Sequence, residues 1–281
     1  TDIVHEINHN LNKVFPSSNE TISSLNESSN FQDGTCWNGK LFAVRSSAVG
    51  EDSDELSAAG QNETYLGIKG TEPCLQEAIR KCWASLFTIQ SVEYRRQNGQ
   101  TVAVGMAVVV QEMVPAKVAG VMFSVHPFTG NPAEVVITVN YGLGESIVSA
   151  ISEPDTITLS NNFWEKEQHG VIKVKRREIG SKQTKVVLNS LNTSTNEGIR
   201  VEKVETINDE GRICIDDNMA IQLAKIASRL QIVFEDTPRD IEFAIDENDQ
   251  IFLLQARPIT SLQSWTNDEL MHEFDTANVS E

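Results

Sequence analysis

Apolar side chains recur with two different periods along the chain, and these periods predict both helices and strands. Spacing near 3.6 residues over 1–14, after Pro73 and over 217–235 predicts three helices. The second helix is expected to continue without a break to Gly99, with Pro73 in its first turn. Its apolar stripe comprises Leu75, Ile79, Cys82, Trp83, Leu86 and Ile89.

Shorter apolar runs between polar, glycine-rich and proline-rich segments predict strands. The expected strands are 41–44, 102–111, 119–125 and 134–141. Several weak strands are expected within 155–215, and a final hairpin over 240–257. Gly142-Leu143-Gly144 is expected to open a short helix, and residues 16–39 to form a loop. The fold class indicated is α+β with largely antiparallel sheets.

The strand register of the final hairpin follows from its pattern. If Asn248-Asp249 forms a two-residue turn, Glu242 lies opposite Gln255 and Asp240 lies opposite Arg257. Side chains alternate along a strand, so these four share one face. The other face is then apolar throughout, with Ile241, Phe243, Ile245, Phe252, Leu254 and Ala256. A slip of one residue would destroy this segregation, so the pattern specifies the register.

The polar face of this hairpin has the chemistry of a magnesium and phosphate site. Glu242 and Gln255 supply a carboxylate and an amide oxygen, which are hard ligands suited to Mg²⁺, and that ion also binds substrate phosphates. Arg257 can contact a phosphate through its fork of N–H donors. An ion pair between Asp240 and Arg257 with a purely structural role explains the same residues, and the hairpin alone leaves both interpretations open.

Two further stretches carry candidate ligand-binding groups. Arg45 follows a predicted strand and precedes two serines, which suits an oxyanion, and Gly60 lets a phosphate approach the backbone closely. The segment QEMVP, residues 111–115, ends a strand, and its backbone edge between apolar side chains suits a flat base. A polar turn with a surface arginine and an ordinary strand end are the alternatives, and both stay open on these residues alone.

Composition excludes several classes of partner. A formal net charge of −17 over 281 residues disfavours nucleic acid and anionic membranes. The apolar runs are too short to span a bilayer, and no secretory signal is recognisable. The four cysteines and five histidines show no spacing typical of metal ligands. Cysteine use favours a reducing compartment, and we expect a cytoplasmic location.

Five segments occur in a characteristic order between about residues 41 and 260: FAVRSSAVGEDSDELSAAGQNETYL, VVVQEMVPAKVAGVMFSVHPFTG, VNYGLGESIV, REIGSKQTKVV and DIEFAIDENDQIFLLQARPIT. Together they resemble the nucleotide-binding domain of phosphoenolpyruvate synthase, pyruvate phosphate dikinase and rifamycin phosphotransferase. The resemblance implies an ATP-grasp fold, in which two α+β subdomains bind ATP in the cleft between them. We expect residues 1–110 to form the first subdomain, 111–261 the second, and 262–281 an exit linker.

The resemblance also implies which residues bind the nucleotide. They are Arg45, Gly60, Thr64, Gln111, Met113, Val114, Asp240, Glu242, Gln255 and Arg257. Arg45 and Arg257 would be the catalytic cations beside the phosphates, and Glu242 and Gln255 the magnesium ligands. We expect the hairpin residues to face Arg45 across the cleft.

The loop that runs from Gly60 to Thr64 would close over the phosphates, and adenine would lie against Gln111, Met113 and Val114. The implied cofactors are therefore ATP and Mg²⁺.

Members of this family use ATP to phosphorylate a histidine on a separate swivelling domain, which passes the phosphoryl group to an acceptor such as pyruvate or a rifamycin-like hydroxyl. The present sequence lacks the family's Gly-Gly-Lys-Gly segment and its Gly-Gly-x-Thr-Ser-His carrier motif. We therefore expect a fragment that does not turn over alone. Its partners would be a swivelling phosphohistidine domain, an acceptor-binding domain and a small-molecule acceptor. A degenerate ATP-binding or regulatory domain without catalysis is the alternative.

Overall fold

The computed structural model describes residues 39–49, 52–53, 56–57, 62–101, 104–160, 172–189, 199–203, 213–235, 237–259 and 262. The helix expected over 1–14 and all but the last residue of the loop over 16–39 lie outside the described residues, as does nearly all of the expected exit linker. The chain divides into two compact units. The first comprises Thr1–Asp52, Leu56–Met113 and Asn189–Ile199, and the second Ser53–Glu55, Val114–Leu188 and Arg200–Glu281.

The first unit contains a three-stranded antiparallel sheet covered by a helix. Its strands are β1 (Leu41–Ala48), β4 (Thr64–Lys69) and β5 (Met106–Glu112), with β1 in the middle. Two short strands, β2 (Asp52–Ser53) and β3 (Leu56–Ser57), come between β1 and β4 in the sequence. Helix α1 (Glu72–Ser85) packs on the sheet through a core of Phe42, Val44, Leu75, Ala78, Ile79 and Cys82.

The prediction of one helix that continues to Gly99 is wrong. Helix α1 ends at Ser85, and a second helix, α2, spans Ile89–Gln97. Thr88 starts the second helix as its N-cap, because its hydroxyl accepts the backbone N–H of Ser91 at 3.3 Å. Ile89 is 85% exposed and is therefore not part of the buried stripe.

The second unit is built on a six-stranded antiparallel sheet with the order β13-β12-β6-β7-β8-β9. Its strands are β6 (Val118–Phe123), β7 (Glu134–Tyr141), β8 (Asp155–Ser160), β9 (Val174–Glu178), β12 (Arg239–Ile245) and β13 (Ile251–Pro258). Helix α4 (Asp217–Val233) packs on one face of this sheet. Side chains of Met122, Ile137, Ile157 and Leu223 in this core have no exposed surface.

The remaining described elements follow the glycine-rich turn after β7. Helix α3 (Glu145–Val148) begins next to Gly144, as predicted, and β10 (Thr184–Leu188) pairs with β11 (Ile199–Lys203). Gly142 has a φ of +74°, and a Cβ there would lie 2.2 Å from the carbonyl oxygen of Val186. Glycine is therefore required at this position. The mixed helix-and-strand fold with mostly antiparallel sheets is confirmed.

The final hairpin keeps the predicted pairing of its four polar residues, although its turn is different. Asp240 pairs with Arg257 and Glu242 with Gln255, as predicted. The two-residue turn is wrong: the strands are joined by residues 246–250, and the Asp246 carboxylate accepts backbone N–H groups two and four residues later, both at 2.9 Å.

A bulge after Glu242 compensates for the longer turn. Beyond it, Ala244 pairs with Phe252 and Ile245 with Ile251, so Ile251 rather than Phe252 packs against the core. The apolar face predicted for this strand is therefore wrong beyond the bulge.

None of the helices in the described part of the chain is both long and apolar enough to cross a bilayer.

Candidate functional site

The polar side chains of the hairpin lie on the sheet face opposite helix α4. In β12, Ile241, Phe243 and Ile245 are buried in the core against that helix. Because side chains alternate along a strand, Asp240 and Glu242 belong to the other face. Strand order and hydrophobic burial thus fix the orientation of both carboxylates.

Glu242 and Gln255 form a directly opposed pair on neighbouring strands. Both side chains are partly buried, and the Cβ atoms of such pairs are typically about 5 Å apart. This donor set fits magnesium, which accepts one or two protein oxygens and completes its shell with phosphate and water. Within the described ranges, no group of three or more His, Cys, Asp or Glu residues is placed to hold a metal ion. A metal at this pair would therefore depend on ligand and water oxygens.

Asp240 and Arg257 form the ion pair that the alternative interpretation expects. Nε and Nη2 of Arg257 lie 2.8 and 2.7 Å from the same oxygen, Oδ2 of Asp240. The side chain of Asp240 is 13% exposed and that of Arg257 is 28% exposed. These two bonds use two of the five N–H donors of a guanidinium. The carboxylate thus orients Arg257, and a structural role and a phosphate-binding role are compatible.

In the first unit, the structure brings together two of the residues implied by the resemblance. Arg45 on β1 lies directly opposite Thr64 at the start of β4. Arg45 is partly buried and Thr64 is exposed, so a cation and a hydroxyl lie side by side on one face of the sheet. Gly60 lies outside the described residues.

The expected adenine-binding segment is the end of β5, which is an edge strand of its sheet. The backbone N–H of Met113 donates to the carbonyl of Leu41 on β1 at 2.8 Å. Hydrogen-bonded and non-hydrogen-bonded pairs alternate in an antiparallel ladder, so Gln111 also faces β1, whereas the backbone of Glu112 faces away. Sequence reasoning did not single out Glu112, because that requires the ladder pattern. Val114 follows the strand, and its carbonyl accepts the N–H of Ala116 at 2.8 Å.

Asn140, a motif residue in the second unit, has a structural role. Asn140 has no exposed surface, and its side chain donates to Ser146 Oγ at 3.0 Å and to the carbonyl of Thr184 at 3.3 Å. Its carbonyl oxygen accepts the backbone N–H of Tyr141 at 2.8 Å. The amide thereby ties the glycine-rich turn to helix α3 and to strand β10.

A buried ion pair joins Asp155 to Lys182. Asp155 has no exposed surface and Lys182 is 5% exposed. Asp155 also accepts the backbone N–H groups of Gly180 at 3.0 Å and of Cys214 at 2.9 Å. Lys182 also donates to the carbonyl of Gly180 at 2.8 Å. Sequence analysis did not predict this pair, because its partners are far apart in the sequence.

One cysteine in each unit, the buried Cys82 and the partly buried Cys214, has a raised pKa. Burial, with a further contribution from the charge of Glu63, raises the pKa of the Cys82 thiol to about 11. Burial and the neighbouring Asp155 charge raise the pKa of Cys214 well above its ordinary value. Both thiols are free and are poor candidates for nucleophiles.

Comparison with known proteins assigns most of the chain to one family. The family described as "Pyruvate phosphate dikinase, AMP/ATP-binding domain" matches residues 11–278. This chain belongs to that family. The match includes both described units and the final hairpin.

Curated relatives of the pyruvate phosphate dikinase AMP/ATP-binding family support the assignment. A probable phosphoenolpyruvate synthase of Pyrococcus horikoshii is 35% identical over 84% of this chain and 28% of its own length. An uncharacterized phosphotransferase of Bacillus subtilis is 38% identical over 79% of this chain and 25% of its own length. A rifampicin phosphotransferase of a Streptomyces species is 36% identical over 79% of this chain and 24% of its own length. The chain therefore spans about a quarter of these relatives.

Proposed function

We propose that this chain is the ATP-grasp nucleotide-binding domain of a dikinase-type phosphotransferase. It binds Mg·ATP in the cleft between subdomains 1–110 and 111–261. The phosphoryl group goes to a histidine on a separate swivelling domain, which passes it to an acceptor such as pyruvate or a rifamycin-like hydroxyl. The three described cysteines, Cys74, Cys82 and Cys214, are free thiols, which supports a cytoplasmic location.

The observation that carries this proposal is the register of the final hairpin. Glu242 lies opposite Gln255 and Asp240 opposite Arg257, on the sheet face that helix α4 does not cover. A carboxylate, an amide and a guanidinium on one partly buried face are suited to bind charged phosphate oxygens together with a cation. Membership of a family of AMP/ATP-binding domains names the ligand that fits these groups.

Each candidate residue has a separate task in the proposed site. Arg45 and Thr64 bind nucleotide phosphates, and Arg257, oriented by Asp240, contributes a second cation. Phosphoryl transfer depends mainly on positioning and on neutralising charge, so fixed cations are the contribution required of the protein. The loop containing Gly60 covers the phosphates.

Gln111, Met113 and Val114 belong to the segment that binds adenine, and the outward-facing backbone of Glu112 adds hydrogen-bonding groups on the edge of β5.

Glu242 and Gln255 would hold magnesium. When bound, the ion would neutralise phosphate charge and fix the orientation of the phosphate oxygens. The two protein ligands determine where that ion lies on the sheet.

Calorimetric titration of the chain with ATP, in the presence and absence of Mg²⁺, tests this site. In the Glu242→Ala variant we expect the strengthening of ATP binding by Mg²⁺ to disappear, while Mg²⁺-free binding stays near the wild-type value. Glu178→Ala is the matched control, because Glu178 is an exposed glutamate on β9 of the same sheet. A Mg²⁺ effect that persists in Glu242→Ala argues against the assignment of this ligand.

Transfer of radiolabel from ATP tests the catalytic part of the proposal. The chain is mixed with a carrier-histidine domain taken from a phosphoenolpyruvate synthase, and acid-labile label on that domain is measured. Label that depends on this chain and on Arg257 supports the phosphotransferase assignment. ATP binding without any transfer supports the alternative, a domain that binds ATP and has no catalysis.

A further inference from the structure

A chain of buried hydrogen bonds in the first unit ends at the residues that lead into Thr64. Nη1 of Arg95 donates to Oγ of Ser91 at 2.8 Å, and Oγ of Ser91 donates to Oδ1 of Asn62 at 2.9 Å. Arg95 is 5% exposed and Ser91 is 2% exposed. Both belong to helix α2, whereas Asn62 is two residues before strand β4 begins. The chain thus connects a helix interior to the start of that strand.

The hydroxyl of Ser91 makes this chain directional. A serine hydroxyl has one proton to donate. Because Arg95 can only donate, the oxygen of Ser91 acts as its acceptor, and the hydroxyl proton is left for Asn62. Removal of the hydroxyl therefore breaks both bonds at once and leaves the amide of Asn62 without this anchor.

The next residue, Glu63, is held through both of its backbone groups. Its N–H donates to Oγ of Ser85 at 3.2 Å, and its carbonyl accepts from Sγ of Cys82 at 3.6 Å. Cys82 also lies 3.4 Å from the carbonyl of Val44, the residue before Arg45. The two residues before Thr64 are therefore fixed by the carboxyl end of α1 and by α2, at the point where β4 pairs with Arg45.

Arg95, the first donor in this series of hydrogen bonds, is a buried charged residue. No ion pair joins it to an acid anywhere in the described residues, and its Nε is buried without a hydrogen-bond partner there. A second bond goes to the carbonyl of Leu86, just after α1 ends. A buried cation without a carboxylate partner is costly. Arg95 is linked through Ser91 to the segment that precedes Thr64, and a role in fixing that segment would account for this cost.

We propose that Arg95 and Ser91 are positioning residues for the nucleotide phosphates. They fix Asn62, and through it the backbone that places Thr64 opposite Arg45. The inference rests on the proposed function, because it requires phosphates at Arg45 and Thr64. Neither Arg95 nor Ser91 touches the ligand, and both act through Asn62.

The test compares two ligands that differ only in their phosphates. Calorimetry measures the affinity of the full chain for ATP and for adenosine. In Ser91→Ala we expect ATP binding to weaken about five- to tenfold, the size of one or two hydrogen bonds, while adenosine binding changes by less than about twofold. Ser91→Thr keeps the hydroxyl and is expected to restore wild-type ATP affinity.

Ser228→Ala is the matched control, because Ser228 is a 5% exposed helical serine whose hydroxyl donates to the carbonyl of Ala224 at 2.9 Å, in the second unit. It is expected to leave both affinities unchanged. Should Ser91→Ala fail to fold by circular dichroism, Asn62→Ala removes the last acceptor without disturbing the helix, and the same split between ATP and adenosine is expected.

Three results would overturn the inference. Unchanged ATP affinity in Ser91→Ala shows that the hydrogen bonds from Arg95 to Asn62 do not position the phosphate-binding residues. Equal weakening of ATP and adenosine binding shows a general structural role. Absence of ATP binding by the wild-type chain contradicts the proposed function itself, and the inference fails with it.

Discussion

Loss of the buried lysine Lys182 should destabilise the second unit strongly. Lys182→Met removes the charge but keeps most of the side-chain volume, and it leaves the fully buried carboxyl group of Asp155 without its cationic partner. Removal of one partner of a buried pair typically costs about 3–5 kcal/mol. Asp155 keeps the backbone N–H groups of Gly180 and Cys214, at 3.0 and 2.9 Å. We therefore expect a loss near the lower limit, about 3 kcal/mol.

Urea unfolding at pH 7, followed by circular dichroism, measures this loss. Lys175→Met is the control, because Nζ of Lys175 contacts Glu134 at 2.7 Å while its side chain is 44% exposed. An exposed pair is worth less than about 1 kcal/mol. If both variants lose the same small amount of unfolding free energy, with unchanged slopes against urea, the reasoning about the Asp155–Lys182 pair is refuted.

Two other predictions concern thiol reactivity and pH. Cys82 is fully buried and its pKa is raised to about 11. At pH 8 we therefore expect a disulfide reagent to modify the exposed Cys74 rapidly and Cys82 only on unfolding. Fast labelling of Cys82 in the native chain would contradict its burial. The backbone N–H of Gln250, foremost among several groups, lowers the pKa of Asp246 from its ordinary value of 3.8. Because this pKa is lowered in the folded state, the ionised carboxylate of Asp246 stabilises the fold above pH 3.8. That stabilisation is lost as the pH falls through the pKa of the folded state. The stability advantage of wild type over Asp246→Asn should thus shrink between pH 7 and pH 3, and an advantage that grows would refute this sign.

The pairing of Glu242 with Gln255 could be predicted because the alternation of polar and apolar residues specifies it. The turn could not be predicted in the same way. Asp246 binds backbone N–H groups within its own loop, and a bulge then restores the register. Local polar side chains that bond to the backbone change turn length without any change in the hydrophobic pattern.

The break between helices α1 and α2 has a similar origin. The apolar pattern continues to Ile89, but Thr88 begins a new helix through its hydroxyl, which the period alone does not reveal. The pair Asp155–Lys182 and the chain from Arg95 to Asn62 join residues that are distant in sequence. Such contacts depend on tertiary packing, which a single sequence does not encode in any local pattern.

The expectation that the hairpin residues face Arg45 across a nucleotide cleft stays a prediction. Arg45 belongs to the first unit, and the hairpin belongs to the second. Each unit presents its own candidate phosphate-binding groups, namely Arg45 with Thr64 and Glu242 with Arg257.

Thermal unfolding of the chain at increasing ATP concentration, with and without Mg²⁺, tests the central claim most directly. A ligand that binds only the folded state stabilises it by about 2.7 kcal/mol at a concentration 100-fold above its dissociation constant. We expect the unfolding temperature to rise with ATP concentration and to rise further when Mg²⁺ is present. An unfolding temperature that does not change at millimolar Mg·ATP would contradict the account.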